Sequence, residues 1–230
     1  MGVGANTDHF GLHSADWELQ ENSKSPSSSK AQIANQFGDI VNEAVFEQTE
    51  AVECSYMLTS NGTDGVIGLP ANFKGGYKNG DYVITGGTLK TSNKERPELT
   101  VTGTKYFGPE TADLRVYDFA GTIGDILARK VATAVGFTLG GSTFLNGCDV
   151  KCSVEDTHVL KADGDIAVID TFNGRIEATG DLVVSTGAPS ATAAVGWTLD
   201  KGNDVKQSNK EFPSGSVTVF RNLAAEALLL

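Results

Sequence analysis

The chain has 230 residues, a formal net charge of −11, 40% hydrophobic and 8% aromatic residues, 27 glycines and three cysteines. That length holds one large or two small domains. The acidic balance argues against a clamp on nucleic-acid phosphates, and an odd, sparse cysteine set is not a disulfide framework. No apolar run approaches a membrane span, and Met1-Gly2-Val3-Gly4 lacks the basic and apolar regions of a secretory signal. A protein made in the cytoplasm, with no membrane partner, is expected.

Taken in order, residues 1–20 mix small, polar and aromatic side chains, and Asp16-Trp17-Glu18-Leu19 reads as a strand start anchored by Trp17. The polar stretch from Glu21 to Gln36, with Ser23, Ser25, Ser27, Ser28 and Ser29, has little to bury and reads as a loop or arm. From Ile40 to Leu58 alternation and Val, Thr, Phe and Tyr content predict a strand. Asn61-Gly62 and Asp64-Gly65 mark turns in a glycine-rich region. DYVITGGTL (81–89) and ELTVTGTKYF (98–107) then read as a strand pair joined by SNKERP. TIGDILARKVATAVG (122–136) places Ile123, Ile126, Leu127, Val131, Ala134 and Val135 on one helical face, with Thr122 as N-cap and Gly136 as stop, and predicts a helix. Strands are expected again around Phe144, over 149–159, 165–170 and 175–184, then from Gly196 and over 215–222.

The later strands echo the earlier ones. Gly38-Asp39-Ile40 and Phe46 coincide without gaps with Gly164-Asp165-Ile166 and Phe172, and one inserted residue brings Glu50-Ala51 onto Glu177-Ala178. Ser92-Asn93-Lys94-Glu95-Arg96-Pro97 recurs as Ser208-Asn209-Lys210-Glu211-Phe212-Pro213. The expected fold is mostly β: two diverged copies of a small antiparallel β-sandwich or barrel-like unit with one helix between them. The boundaries are 1–121 for the first unit with its N-terminal arm, 122–136 for the helix, and 137–230 for the second unit with an apolar C-terminal tail. Trp17, Phe46, Phe172 and Trp197 are the structural anchors.

Residue types that carry chemistry do not assemble into a motif. His9 and His13 are four apart but flank Gly11, with no third ligand nearby. Cys148 and Cys152 lack the CxxC spacing of a zinc hook. Asp163-Gly164-Asp165 lacks the closing glutamate of a calcium loop, and there is no nucleophile elbow or phosphate-binding loop. No catalytic residue, metal or cofactor is expected. The candidate functional residues are assembly elements: Ser27, Ser28 and Ser29 in the polar arm, Asn61, Gly62, Asp64 and Gly65 in the turn region, and the terminal Leu228, Leu229 and Leu230, which a lone monomer would expose.

A small β unit with one helix, a glycine-rich extended hairpin, a polar arm and a sticky tail resembles the tail tube proteins of tailed bacteriophages. The run GWTLDKGNDVKQSNKEFPSGSVTVFRNL also has the character of virion proteins. The resemblance is one of architecture. It implies a non-enzymatic subunit whose copies form rings, and whose stacked rings form a hollow tube in the virion. DNA passes through its acidic channel without sequence-specific binding, and other virion proteins are further partners. Some family members carry two tube units in one chain, so that a trimer forms a pseudo-six-fold ring. Alternative readings are another β-rich virion component (head–tail connector, baseplate or capsid decoration protein) or a β-sandwich module binding a host surface or glycan. An enzyme with a paired-carboxylate site is a third.

Overall fold

The computed structural model describes residues 7–59, 65–108, 111–208 and 211–226. Asn61, Gly62, Asp64, Leu228, Leu229 and Leu230 lie outside the described residues. In chain order the strands are β1 (Trp17–Ala34), β2 (Ile40–Leu58), β3 (Val66–Ile67), β4 (Lys74–Gly75), β5 (Lys78–Asn79), β6 (Tyr82–Ser92), β7 (Glu98–Tyr106), β8 (Thr111–Asp113) and β9 (Tyr117–Asp118). A short helix α1 (Phe119–Ile123) precedes β10 (Ile126–Leu127), β11 (Phe137–Leu139), β12 (Thr143–Leu160), β13 (Ile166–Val184), β14 (Ala191–Ala193), β15 (Thr198–Ser208) and β16 (Glu211–Asn222). Eight strands lie side by side, all antiparallel, in the order β1-β2-β7-β6-β12-β13-β16-β15. β5 adds to β6, and β8 adds in parallel to β13. The two halves therefore share one sheet through the β6–β12 ladder instead of folding as separate sandwiches or barrels.

The strand order repeats within that sheet. In each half a long hairpin (β1-β2, β12-β13) is followed by a short one whose second strand returns beside it (β7, β16). The registers repeat too. Trp17↔Leu58 recurs as Thr143↔Val184, and Ala34↔Ile40 as Leu160↔Ile166, a displacement of 126 positions at all four residues. The three irregularities of the first hairpin, at Leu19/Glu21, Ser27/Ser29 and Ile33/Ala34, return at Leu145/Gly147, Ser153/Glu155 and Val159/Leu160. No residue is inserted: Val52, Cys54, Tyr56 and Leu58 face the core where Ala178, Gly180, Leu182 and Val184 do, so Ala51 aligns with Glu177, not with Ala178. SNKERP runs from the end of β6 into the turn before β7, while in SNKEFP Ser208 ends β15, Glu211, Phe212 and Pro213 open β16, and 209–210 lie outside the described residues.

Backbone geometry at the bends matches as well. Gly38 (φ 88) and Gly164 (φ 92) make the two hairpin turns, where a left-handed residue favours glycine. Glu47 (φ 52) and Asn173 (φ 54), also 126 apart, are the non-glycine residues at positive φ among those described. Each follows the half-buried Phe46 or Phe172 and sits in a bulge in which two residues of β2 or β13 oppose one of the partner strand. A left-handed non-glycine residue is uncommon, and a bulge bends its strand. Both long hairpins therefore bend just past the ends of β7 and β16.

One face of the sheet is covered. Phe10 and Leu12 from the N-terminal segment, Leu69 and Phe73 from 59–81, α1, and Ile126, Ala128, Val135 and Phe137 form a layer of straps against it. Strand glycines let the rings lie directly on the sheet. A Cβ at Gly87 would stand 2.9 Å from Phe73, at Gly103 2.5 Å from Phe10, at Gly174 2.3 Å from Tyr117, and at Gly180 2.3 Å from Phe137. Asp8 fixes the N-terminal plug by accepting from the backbone N–H groups of Phe10, Gly11 and His13 and from the Tyr56 hydroxyl. Trp17 is buried and its Nε1 donates to the Gly68 carbonyl, while Trp197 is half-buried over Gly136.

Two expectations are corrected. The stretch 21–36 is no free loop: residues through Ala34 continue β1, pairing with β2 as far as Ile40. Its periodicity is silent because an edge strand wetted on both faces needs no apolar side chain to form its ladder. The helix is the five-residue α1, capped by Asp118 (Oδ1 accepts from Gly121 N), and not 122–136. Gly124 (φ 78) ends it, Ile126 and Leu127 pair with β3, and side-chain oxygens of Thr133, Asn93 and Thr91 accept from the strap's N–H groups. An irregular strap pressed on a sheet can bury residues at helical spacing without helical backbone, and the β-branched Thr122, Ile123, Ile126, Val131, Thr133 and Val135 disfavour the helix.

Gly103→Ala is expected to cost about 1–3 kcal/mol through overpacking against Phe10 and the Val83 carbonyl. This reads out as a lower urea midpoint with an unchanged slope. Gly68→Ala, whose Cβ would meet only Asp125 Oδ1 at 3.5 Å, is expected to leave the midpoint nearly unchanged.

Candidate assembly surface

Side chains opposite the core form continuous rows across the sheet. One runs Ser55, Thr100, Thr88, Lys151, Glu177, Phe220; the next runs Met57, Glu98, Lys90, Asp149, Thr179, Thr218. This face carries no covering layer and is built of threonine, serine and charge. Acids outnumber bases on its central strands: Glu53, Glu98, Asp149, Glu177 and Asp181 stand against Lys90, Lys151 and Arg175. One concavity on it is a shallow depression of about 350 Å3 lined by Glu53, Thr88, Thr102, Lys151, Arg175 and Glu177 among others, with no aromatic ring. Arg175 donates to Glu177 at 3.1 Å and stacks over Phe220 at 4.2 Å, so its charge is already engaged.

The sheet ends in two long edges. Among the described residues, no strand pairs with the outer side of β1 or of β15, nor with β2 over 40–46 on the side away from β1. The long hairpins, with strands of 18 and 19 residues, span about 60 Å. Their outer parts pass the short strands as arms. The first arm exposes Ile33, Phe37, Ile40, Val41 and Val45, with Phe37 80% exposed at its turn. Polar contacts stiffen it: Ser29 Oγ donates to Glu47 Oε2 (2.7 Å), and Lys30 pairs with Glu43 (3.0 Å).

The second arm, by contrast, is seated on the first half. The Glu47 N–H donates to the Gly164 carbonyl (3.3 Å), and His158 Nε2 lies 3.7 Å from Glu47 Oε1. The Tyr106 hydroxyl donates to Asp156, and burial, seconded by that bond, holds the phenol well above its ordinary pKa. Ile166 and Ile169 are buried by Val83, Tyr106 and Leu114. β8 pairs with β13 over Val168–Asp170, and Arg115 reaches Asp170 (3.4 Å).

Four of the expected assembly residues lie among those described. Ser27, Ser28 and Ser29 flank the β1 bulge at the base of the first arm, and Gly65 accepts from Ala128 N at the end of the strap. Sequence reasoning missed the arm's apolar tip, although Ile33, Phe37, Ile40 and Val41 around a turn were a readable signal.

Groups suited to chemistry are turned inward. Cys54, Cys148 and Cys152 are free and buried; burial pushes the Cys148 thiol up to about 12 and raises the other two as well. Burial lowers the pKa of His9, which packs on Tyr82 at 4.8 Å. Among the described residues no group of three or more His, Cys, Asp or Glu side chains is placed to hold a metal ion, and no helix is long and apolar enough to cross a membrane. Comparison of the chain with protein-family models and with curated proteins gave no match.

A thiol reagent such as DTNB at pH 8 is expected to find no reactive cysteine in the native protein and all three after unfolding in urea. Fast reaction of any thiol in the native state would contradict the buried placement.

Proposed function

We propose that this chain is a non-enzymatic structural protein that assembles with copies of itself, as a tail tube subunit of a virion, and that it consists of two diverged copies of one four-stranded unit. The observation that carries the reading is a sheet finished on one face and unfinished at both edges. A bare edge is a template for another strand, and β1 and β15 present long ones at opposite ends of one molecule. Pairing the β1 edge of one copy with the β15 edge of the next is heterologous and closes into a ring when the rotation per subunit allows. With two units per chain, three chains would give a pseudo-six-fold ring.

In such a ring the uncovered face lines the channel and the strap layer lies outside. A threonine- and serine-rich lining with more acids than bases suits the passage of DNA, because like charge keeps phosphates from adhering. The arms, which outrun the short strands along the strand direction, are placed to reach a neighbouring ring. The repeated strand order, the constant displacement and the matched bulges support the two-copy reading.

The test is negative-stain electron microscopy of the purified protein at rising concentration. Rings or hollow tubes are the expected result. A dispersed monomer at every concentration would overturn the proposal.

A further inference from the structure

The single chain contains one joint between its halves, and the repeat specifies where a second joint lies. Four features make the internal joint: the β6–β12 ladder, the seating of the second arm on the first half, the strand β8 on the edge of β13, and the burial of Ile166. Each has an unoccupied counterpart. The 126-residue displacement carries β12 onto β1 and β13 onto β2. A 116-residue displacement carries β7 onto β16, since Thr49↔Tyr106 recurs as Arg175↔Asn222 and Met57↔Glu98 as Val183↔Ser214. The chain even leaves the two strands in the same way: Phe107 N donates to the Gln48 carbonyl, and Leu223 N to the Gly174 carbonyl.

We infer that a second copy of this chain docks its first arm and β1 onto the second half of the first copy, repeating the internal joint. This rests on the self-assembly proposed above and adds the contacts. The ladder Gly147↔Ser92 to Ser153↔Gly86 becomes Glu21↔Ser208 through Lys24↔Val205 between copies, and past Asp204 the β15 bulge brings Lys201 to the position of Gly86 on the way to Ser27. Pro26 in that run removes at most one donor. The bond from Glu47 N to the Gly164 carbonyl becomes one from Asn173 N to the Gly38 carbonyl of the second copy.

Exposure bears out the asymmetry between the two positions. Ile166 is fully buried within one chain, whereas its counterpart Ile40 is 57% exposed. The ground that would receive Ile40, around Thr198 and Asn222 where Val83 and Tyr106 stand in the first half, is exposed too. The exposed arm tip and the exposed end of β15 are thus the two sides of one contact, present once inside the chain and left open at its ends.

A cysteine pair tests this. Inside the chain a Cβ at Gly108 would lie 3.3 Å from the Asp165 Cβ. The counterparts are Ala224 and Asp39, on opposite halves of the molecule, and that spacing is close to disulfide range. Under mild oxidation the double variant Asp39→Cys/Ala224→Cys is expected to lose its monomer band to a covalent ladder on non-reducing gels, while each single variant shows no ladder. Ile40→Glu, at an exposed site, should keep the fold by circular dichroism and raise the concentration needed for assembly by roughly tenfold or more. Normal assembly of the double variant by sedimentation with no ladder would overturn this joint and leave self-assembly standing. Monomer at every concentration with no ladder would overturn both.

Discussion

The sheet buries one face, leaves the other wet and stops at two bare edges. The order β1-β2-β7-β6-β12-β13-β16-β15 gives every interior strand two neighbours, so the backbone groups of six of the eight are paired on both sides over their inner parts. Among the described residues those of β1 and β15 are paired on one side only, which leaves the rest to water. Such edges are usually blunted by shortness, charge, proline or a covering segment. Lys24 and Pro26 do some of this on β1, but 18 residues remain a long unpaired edge for a protein meant to stay alone.

The bulges set what the edges can do. By bending each long hairpin just beyond its short partner strand, the left-handed Glu47 and Asn173 swing the arms away from the plain ladder. The second arm lands on the first half and buries Ile166, while among the described residues the tip of the first arm leaves Ile40 and Phe37 exposed. One long hairpin is thus seated on the other half of the chain, while the tip of the other is left exposed. The strap layer completes the covered face within the chain: Phe10, Phe73, Phe119 and Phe137 close it, on glycines that leave no room for a side chain.

Much of this was legible before any coordinates, and the exceptions share a cause. Alternation marked Val52 to Leu58 as a strand because one face of it is buried. It failed for β1, where neither face is buried over most of the length. The two SNKE segments and the Gly38 and Gly164 turns carried the repeated pattern, because turn chemistry is local. The apparent one-residue insertion arose from matching Glu50-Ala51 by identity. The backbone instead holds Val52 against Ala178, which differ in size but share a buried position. The strap at 122–136 was misread because helical spacing of apolar residues does not report backbone when a segment is pressed onto a sheet. The bare face was least legible, since threonine and charge there look the same as any solvated surface.

Hydrogen exchange across the assembly transition would test the central claim most directly, because it reads edge amides without disturbing them. The account predicts that, as concentration rises, amides in residues 20–27 of β1 and 202–208 of β15 gain protection together, while β7 and β12, already paired on both sides, change little. Assembly with both edges still exchanging as fast as in the dilute protein would contradict it, since copies would then be meeting through some other surface.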